Sequence, residues 1–244
     1  MSPAKFALGV NNLVTLAPNY GNMTKENDFF QATINTRLGQ GIVLGGGVDF
    51  GTTTTDACFV VDNPQQLKYC HLKIPFKGTA QVKLNGSYPL PYGFTVSGIF
   101  QNVAGPQRTA DYTPTNAQIA PSLNRNLASC GTLVVCTATT SGTAAIPGFT
   151  VGYIGPAGTV PLIEPYTQFE GRRTELDLRL TKFVKLGARM RLQANLDFYN
   201  IMNKLPILQI VTAYGANWLK PSGGTTTLGI QDPRQIQVSG QLTF

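Results

Sequence analysis

The sequence is poor in charge and has no long apolar run. Asp, Glu, Lys and Arg make up 13% of its 244 residues, about half the share found in soluble globular proteins. No segment approaches the roughly 18 consecutive apolar residues that a transmembrane helix requires. If the chain crosses a membrane, it must therefore do so with β-strands.

Signals for nucleic-acid binding and for catalysis are also scarce. The formal net charge is +7, but Lys and Arg are scattered rather than gathered into the basic stripe of a nucleic-acid-binding protein. His71 is the single histidine, so a second imidazole for a metal site is missing. Glu175, Asp177 and Asp197 alternate with arginines, which favours charge pairing over acid–base work. We predict no enzymatic activity and no cofactor.

The cysteines indicate an oxidising compartment. Cys58 and Cys70 lie in one polar loop, and Cys130 and Cys136 lie in another that is rich in Ser, Thr and Gly. Two local pairs in loops suit disulfides, although free thiols or a zinc site are alternatives. Neither pair has Cys-x-x-Cys spacing. Because residues 1–9 do not resemble a signal peptide, we expect that the true N-terminus is missing.

Alternation of apolar and polar residues dominates the chain. In the segment 190–199, for example, Leu192, Leu196 and Phe198 share a face, and Gln193, Asn195 and Asp197 share the other. This period of two is the signature of a β-strand, whereas no segment has a convincing amphipathic-helix pattern. The pattern predicts seven strands, at residues 30–38, 42–51, 80–85, 94–101, 175–181, 190–199 and 235–244.

The predicted connections fall into two length classes. Short turns join the strands at residues 39–41, 88–93 and 185–187, and long loops span 55–76, 103–172 and 200–234. Since antiparallel strands run up and down, all short turns lie at one end of the sheet and all long loops at the other. Outer-membrane barrels have this asymmetry. The longest loop has room for further strands at 149–154 and 160–163.

Two all-β architectures fit this pattern. A secreted β-sandwich binding or adhesion module would bury Leu176, Leu178 and Leu180 under a second sheet. Long strands, amide-rich polar faces and a terminal aromatic residue favour a barrel instead. We predict an antiparallel up-and-down transmembrane β-barrel segment, about seven or eight meander strands of a larger barrel with long extracellular loops. An aromatic girdle is expected at the short-turn end, from Tyr88, Tyr92, Phe94, Phe183 and Phe244.

Several stretches carry a family resemblance. The runs 174–182 and 192–203 resemble the closing strands of TonB-dependent receptors, and are most similar to the Oar-like subgroup with a carboxypeptidase-regulatory-like N-terminal domain. Further similar stretches are Tyr214-Gly215, 218–221, the terminal Phe244, Gly45-Gly46-Gly47, Asp56-Ala57-Cys58, 87–91 and 101–106.

The resemblance implies a plugged barrel of about 22 strands in the outer membrane of a Gram-negative bacterium. Such receptors import scarce nutrients with energy from the TonB complex. This chain lacks the TonB box, the plug and most of the strands, so residues 1–244 are expected to form the C-terminal part of the barrel. The implied partners are outer-membrane lipid, the barrel-assembly machinery, the rest of the receptor and, through the missing part, the TonB complex. Alone, the chain is not expected to form a stable closed barrel.

Two smaller sites are predicted. Gln237, Gly240, Leu242 and Phe244 fit a C-terminal barrel-assembly signal, although the glycine is expected at Ser239. An ordinary amphipathic C-terminal strand is the alternative. Tyr214 and Trp218 lie in a long outer loop and could contact a ligand or anchor the loop over the barrel rim.

Overall fold

The computed structural model describes residues 15–19, 21–58, 68–127, 130, 134–136, 160–187, 190–223 and 229–244. Within them, short helices α1 (Phe76–Thr79) and α2 (Asn116–Leu123) accompany a predominantly β structure. No helix in these ranges is long and apolar enough to cross a membrane. The strands are β1 (Thr24–Leu38), β2 (Ile42–Asp56), β3 (His71–Ile74), β4 (Gln81–Leu90), β5 (Phe94–Val103), β6 (Asp111–Tyr112), β7 (Val160–Pro161), β8 (Arg173–Lys185), β9 (Arg191–Tyr199) and β10 (Gln235–Thr243).

The described strands form one large antiparallel sheet and one small ribbon. Seven strands follow the order β1-β2-β4-β5-β8-β9-β10, and β3 pairs with the outer end of β2. All seven predicted strands are therefore present and pair with their neighbours along the chain. In the described residues β1 and β10 each pair with one strand only, so the sheet is open and does not close into a barrel.

The short turns contain residues with a left-handed backbone conformation. Gln40 and Tyr92 have φ values of 65° and 62°, and the glycine that follows each, Gly41 or Gly93, also has positive φ. Glycine adopts this conformation without steric cost, which explains the Gly at the end of each turn. The two turns, Gly39–Gly41 and Pro91–Gly93, lie at the same end of the sheet, as predicted.

The strand β4 is longer than the sequence pattern suggests. It continues to Leu90, so the turn to β5 has three residues instead of the predicted six. Proline normally interrupts a strand because it has no N–H to donate. Here β4 pairs with β2 only as far as Ser87, and beyond it Pro89 pairs with Thr95 of β5 alone. The missing N–H of Pro89 therefore faces no described strand.

The apolar face of the sheet is not covered by a second layer in the described residues, and part of the polar face is buried. Cross-strand pairs such as Leu84–Phe100 and Leu180–Leu196 place most apolar residues of the seven strands on one face. Ile99, which pairs with Asn85 and Asp177, is an exception on the polar face. Many residues of the apolar face are exposed, for example Val238 at 78%. On the polar face, Asp197 is only 2% exposed. The fully buried hydrophobic residues of the described chain, Ala110, Cys130 and Ile210, all lie in loops.

The long loops contain structure that alternation did not reveal. Helix α2 was not predicted, although Thr115 and Gln118 form a capping box at its N-terminus, a motif that is visible in sequence. Of the predicted strand at 160–163, residues 160 and 161 form β7, which pairs with β6. The prediction for 149–154 lies outside the described residues. A second sheet over Leu176, Leu178 and Leu180 is absent from the described chain, where the ribbon β6–β7 has two residues in each strand.

Candidate functional site: loop cluster and polar face

The loop cluster, residues 104–112, 160–172 and 203–223, joins three distant parts of the chain at the long-loop end. The amide of Asp111 donates to Thr212 O at 2.8 Å, and Tyr214 N donates back to Asp111 O at 3.0 Å. Leu162 N donates to Ala110 O at 2.8 Å. These backbone bonds make one layer from segments that are far apart in sequence.

Trp218 anchors this layer. Its indole Nε1–H donates to Thr109 O at 2.8 Å, and its ring lies 5.6 Å from that of Tyr214. The Tyr214 ring in turn contacts Tyr112 edge-on at 6.3 Å. This hydrogen bond supports the interpretation that Trp218 anchors the loop. Tyr214 remains 53% exposed, and the three rings form an aromatic cluster on the loop surface.

Charged side chains brace the base of the loop cluster. Arg108 donates from Nε and Nη2 to both carboxylate oxygens of Glu170, at 2.7 and 3.0 Å. This hydrogen-bonded pairing raises the pKa of Arg108 above its ordinary value. Arg172 donates to Asn102 Oδ1 at 2.7 Å and to Ala80 O at 2.6 Å. Arg108 thus joins two segments of the loop cluster, and Arg172 connects the cluster to the top of the sheet.

Both predicted cysteine pairs are disulfide-bonded. Cys58–Cys70 closes the loop between β2 and β3, and Cys130–Cys136 closes a loop that follows α2. Next to the first, His71 Nδ1 lies 3.0 Å from the Asp56 carboxylate. The described residues contain no group of three or more His, Cys, Asp or Glu side chains that could hold a metal.

Asn200 is the centre of a hydrogen-bonded cluster after β9, called here the Asn200 cluster. It is 2% exposed and has φ of 47°. Its Nδ2 donates to Lys204 O and Asp232 O at 2.7 and 2.9 Å, and its own N–H donates to Asp177 Oδ1 at 2.8 Å. Asn203 Oδ1 accepts from Arg234 N at 3.0 Å. These bonds join the end of β9 to β8 and to the segment that leads into β10.

The polar face carries a network of paired side chains. Arg179 donates through Nε and Nη2 to the two carboxylate oxygens of its cross-strand partner Asp197. Asn195 accepts from Thr181 at 2.9 Å and donates to Ser239 at 3.2 Å. Nearer the loops, the Glu175 carboxylate accepts hydrogen bonds from Gln101 and Arg173. The three carboxylates considered for catalysis, Glu175, Asp177 and Asp197, all serve as hydrogen-bond acceptors within the structure.

Comparison with known proteins gives no relatives. The sequence matches no protein-family model, and no curated protein or solved structure shows significant similarity to it. The functional assignment therefore depends on the sequence resemblance and on the geometry of the sheet.

The residues of the C-terminal signal divide between the two faces of β10. Gln237 is paired with Asp197 on the polar face and accepts from Tyr199 Oη at 3.2 Å. Gly240 and Leu242 lie on the apolar face, and Phe244 is 92% exposed. Ser239, where the glycine was expected, joins the polar network through Asn195. Recognition by the barrel-assembly machinery stays a prediction.

Proposed function

We propose that this chain is a wall segment of an outer-membrane β-barrel, belonging to the C-terminal part of a TonB-dependent receptor that imports a scarce nutrient. In this proposal the apolar face meets lipid, the polar face lines the filled lumen, and the loop cluster forms part of the ligand-facing surface. The resemblance of 174–182 and 192–203 to such receptors supports the family.

One observation carries the membrane part of the proposal. The sheet exposes many of its aliphatic residues, for example Val238 at 78%, and buries one charged residue of its polar face, Asp197, at 2%. In water, apolar burial is the main force that stabilises a fold, so a soluble sheet of this size would cover its apolar face. In a bilayer, outward apolar and inward polar residues are the stable arrangement.

Strand direction adds a second argument. Neighbours in the seven-strand meander are antiparallel throughout, so β1 and β10 run in the same direction. Pairing β10 with β1 would therefore create a parallel contact, whereas bacterial outer-membrane barrels are antiparallel with an even number of strands. Closure requires an odd number of further strands from outside this meander.

We accordingly expect that the chain, purified alone in detergent, will not form a closed barrel. Its edge amides in β1 and β10 should exchange with deuterium much faster than those of the central strand β5, because unpaired edges have no protection. Hydrogen exchange followed by mass spectrometry measures this. A compact monomer with protected edges would contradict the strand-parity argument, and a monomer stable without detergent would favour the secreted sandwich.

The orientation of the faces can be tested with two adjacent substitutions. Leu84 and Asn85 are both exposed and lie on opposite faces of β4. In a Trp218→Phe background, Leu84→Trp should be quenched strongly by lipids brominated in the acyl chains, and Asn85→Trp should be quenched weakly. Equal quenching of the two, or none, would contradict a lipid-facing apolar surface. The receptor family is tested separately by the gene sequence upstream of Met1, which should encode a plug domain and a signal peptide.

A further inference from the structure

A small cleft lies over Gly45 on the polar face of the sheet, and we call it the Gly45 cleft. Gly45 pairs with Asn35 of β1 on one side and with Asn85 of β4 on the other, so the three side-chain positions share this face. The cleft has a volume of about 220 Å³. Besides Thr36 and Leu44, which lie between them along the strands, it is lined by residues of the polar face, namely Asn35, Arg37, Val43, Gly45 and Asn85.

The missing side chain of Gly45 leaves the cleft open. A Cβ atom on Gly45 would lie 3.0 Å from Asn35 Oδ1 and 3.1 Å from Asn85 Oδ1, so the two amide groups lean over the glycine from both sides. Gly45 is therefore buried, although both asparagines are exposed. Its backbone does not require glycine, because its φ lies outside the left-handed region. A glycine inside a strand often marks the close approach of a ligand or of another backbone.

The polar groups of the cleft lack partners within the described chain. There, the side chains of Asn35, Arg37 and Asn85 take part in no hydrogen bond or ion pair. Two amide oxygens thus face one space without a donor, and a guanidinium with five N–H donors has no acceptor. Segments 29–48 and 81–103 contain no Asp or Glu, so the strands around the cleft supply no carboxylate to Arg37.

We propose that the Gly45 cleft binds a small α-amino acid, with its carboxylate on Arg37 and its ammonium between Asn35 and Asn85. A guanidinium fits a carboxylate in a two-pronged, charge-assisted hydrogen bond. An ammonium has only donors, which suit the two amide oxygens. The volume lies below the roughly 300 Å³ at which pockets for drug-sized ligands begin, so the ligand is small. Elsewhere on the polar face, groups of the same kind are already paired, as Arg179 and Asn195 are.

The combination of groups distinguishes an amino acid from simpler ligands. A plain carboxylate would use Arg37 and leave the amide oxygens without a donor, and a neutral polyol would leave the guanidinium without a charge partner. The inference does not depend on the membrane wall proposed above. In a wall segment the cleft faces the lumen near the short-turn end, and in a secreted sandwich it would face solvent.

The test measures ligand binding to the full chain in deuterated detergent by saturation-transfer difference NMR. L-alanine should bind saturably. Propionate, which lacks the ammonium, and ethylamine, which lacks the carboxylate, should each bind about tenfold more weakly, because each loses hydrogen bonds that involve a charged group.

Two pairs of variants locate the site. Arg37→Gln should weaken L-alanine binding about tenfold, whereas Arg234→Gln, which removes an exposed arginine at the long-loop end, should leave it unchanged. Gly45→Ala places a methyl group between the two amides and should abolish binding. Its matched control is Gly98→Ala, whose methyl would lie equally close, 3.0 Å, to the Leu178 side chain on the apolar face. That variant should bind as wild type does.

Several outcomes would overturn the proposal. A signal that rises linearly with L-alanine concentration would mean adventitious contact only. Propionate binding as tight as that of L-alanine would make the cleft an anion site that does not use the asparagines. The site is also wrong if Arg37→Gln behaves like Arg234→Gln, or Gly45→Ala like Gly98→Ala. Failure of the proposed wall segment would appear separately, as unquenched Leu84→Trp, and would leave the binding result unaffected.

Discussion

Replacing Asn200 with alanine is expected to lower the opening free energy of the β8–β9–β10 region by about 3 kcal/mol. The loss has two sources. The substitution removes side-chain hydrogen bonds to Lys204 and Asp232, each worth about 1 kcal/mol. It also places alanine at a φ of 47°, a left-handed conformation that costs an alanine about 1–2 kcal/mol. Hydrogen exchange in lipid or detergent should show faster exchange in β9 and β10, on the order of 100-fold.

A glycine at the same position separates these two contributions. Asn200→Gly loses the same hydrogen bonds but adopts positive φ without steric cost, so its exchange should lie between those of wild type and the alanine variant. Asn203→Ala is a second comparison, because Asn203 has φ of 51° and only one side-chain bond, to Arg234. If the β9 and β10 amides exchange no faster in Asn200→Ala than in Asn203→Ala, the Asn200 cluster does not hold these strands together.

Much of the sheet could be predicted because its determinants are local. The register of a strand with one apolar face can be predicted from its sequence, since a slip of one residue would turn every side chain to the other face. Residues 190–199 and 235–244 alternate without interruption, and both strands were found. The last five residues of the 15-residue strand β2 were not predicted, because Thr52 to Thr55 are all polar and show no alternation. Its partner β3 does alternate, but it has only four residues and lies within the predicted loop 55–76.

The loop cluster was not predictable because its contacts join residues far apart in the chain. Trp218 bonds to Thr109, and no periodicity relates two positions separated by more than one hundred residues. The composition of 200–234 suggested an outer loop, but it contained no sign of which segment the loop packs on. Asn200 is intermediate: its neighbourhood carried the family resemblance, whereas its three-strand hydrogen bonding emerged only from the fold. Helix α2 did carry a local signal, the Thr115–Gln118 capping box.

The polar face gives the second large expected effect. Arg179→Met should lower the opening free energy of β8 and β9 by about 2 kcal/mol, or roughly thirtyfold in hydrogen exchange. The Asp197 side chain is 4% exposed while that of Arg179 is 48% exposed. Removing the arginine therefore leaves a buried carboxylate without its counter-ion, which is more costly than leaving a half-exposed guanidinium. Asp197→Asn should for that reason cost less than Arg179→Met.

The double variant Arg179→Met, Asp197→Leu decides whether the ion pair or the packing matters. With both charges removed, no unpaired charge remains, and buried ion pairs replaced by apolar residues are often close to neutral in stability. We expect the double variant to recover most of the protection that Arg179→Met loses, as measured in the same exchange experiment. If instead the losses of Arg179→Met and Asp197→Leu, each measured singly, simply add, the pair contributes no coupling, and Asp197 is solvated. A recovered double variant would show that Asp197 is shielded from water, in agreement with its 2% exposure.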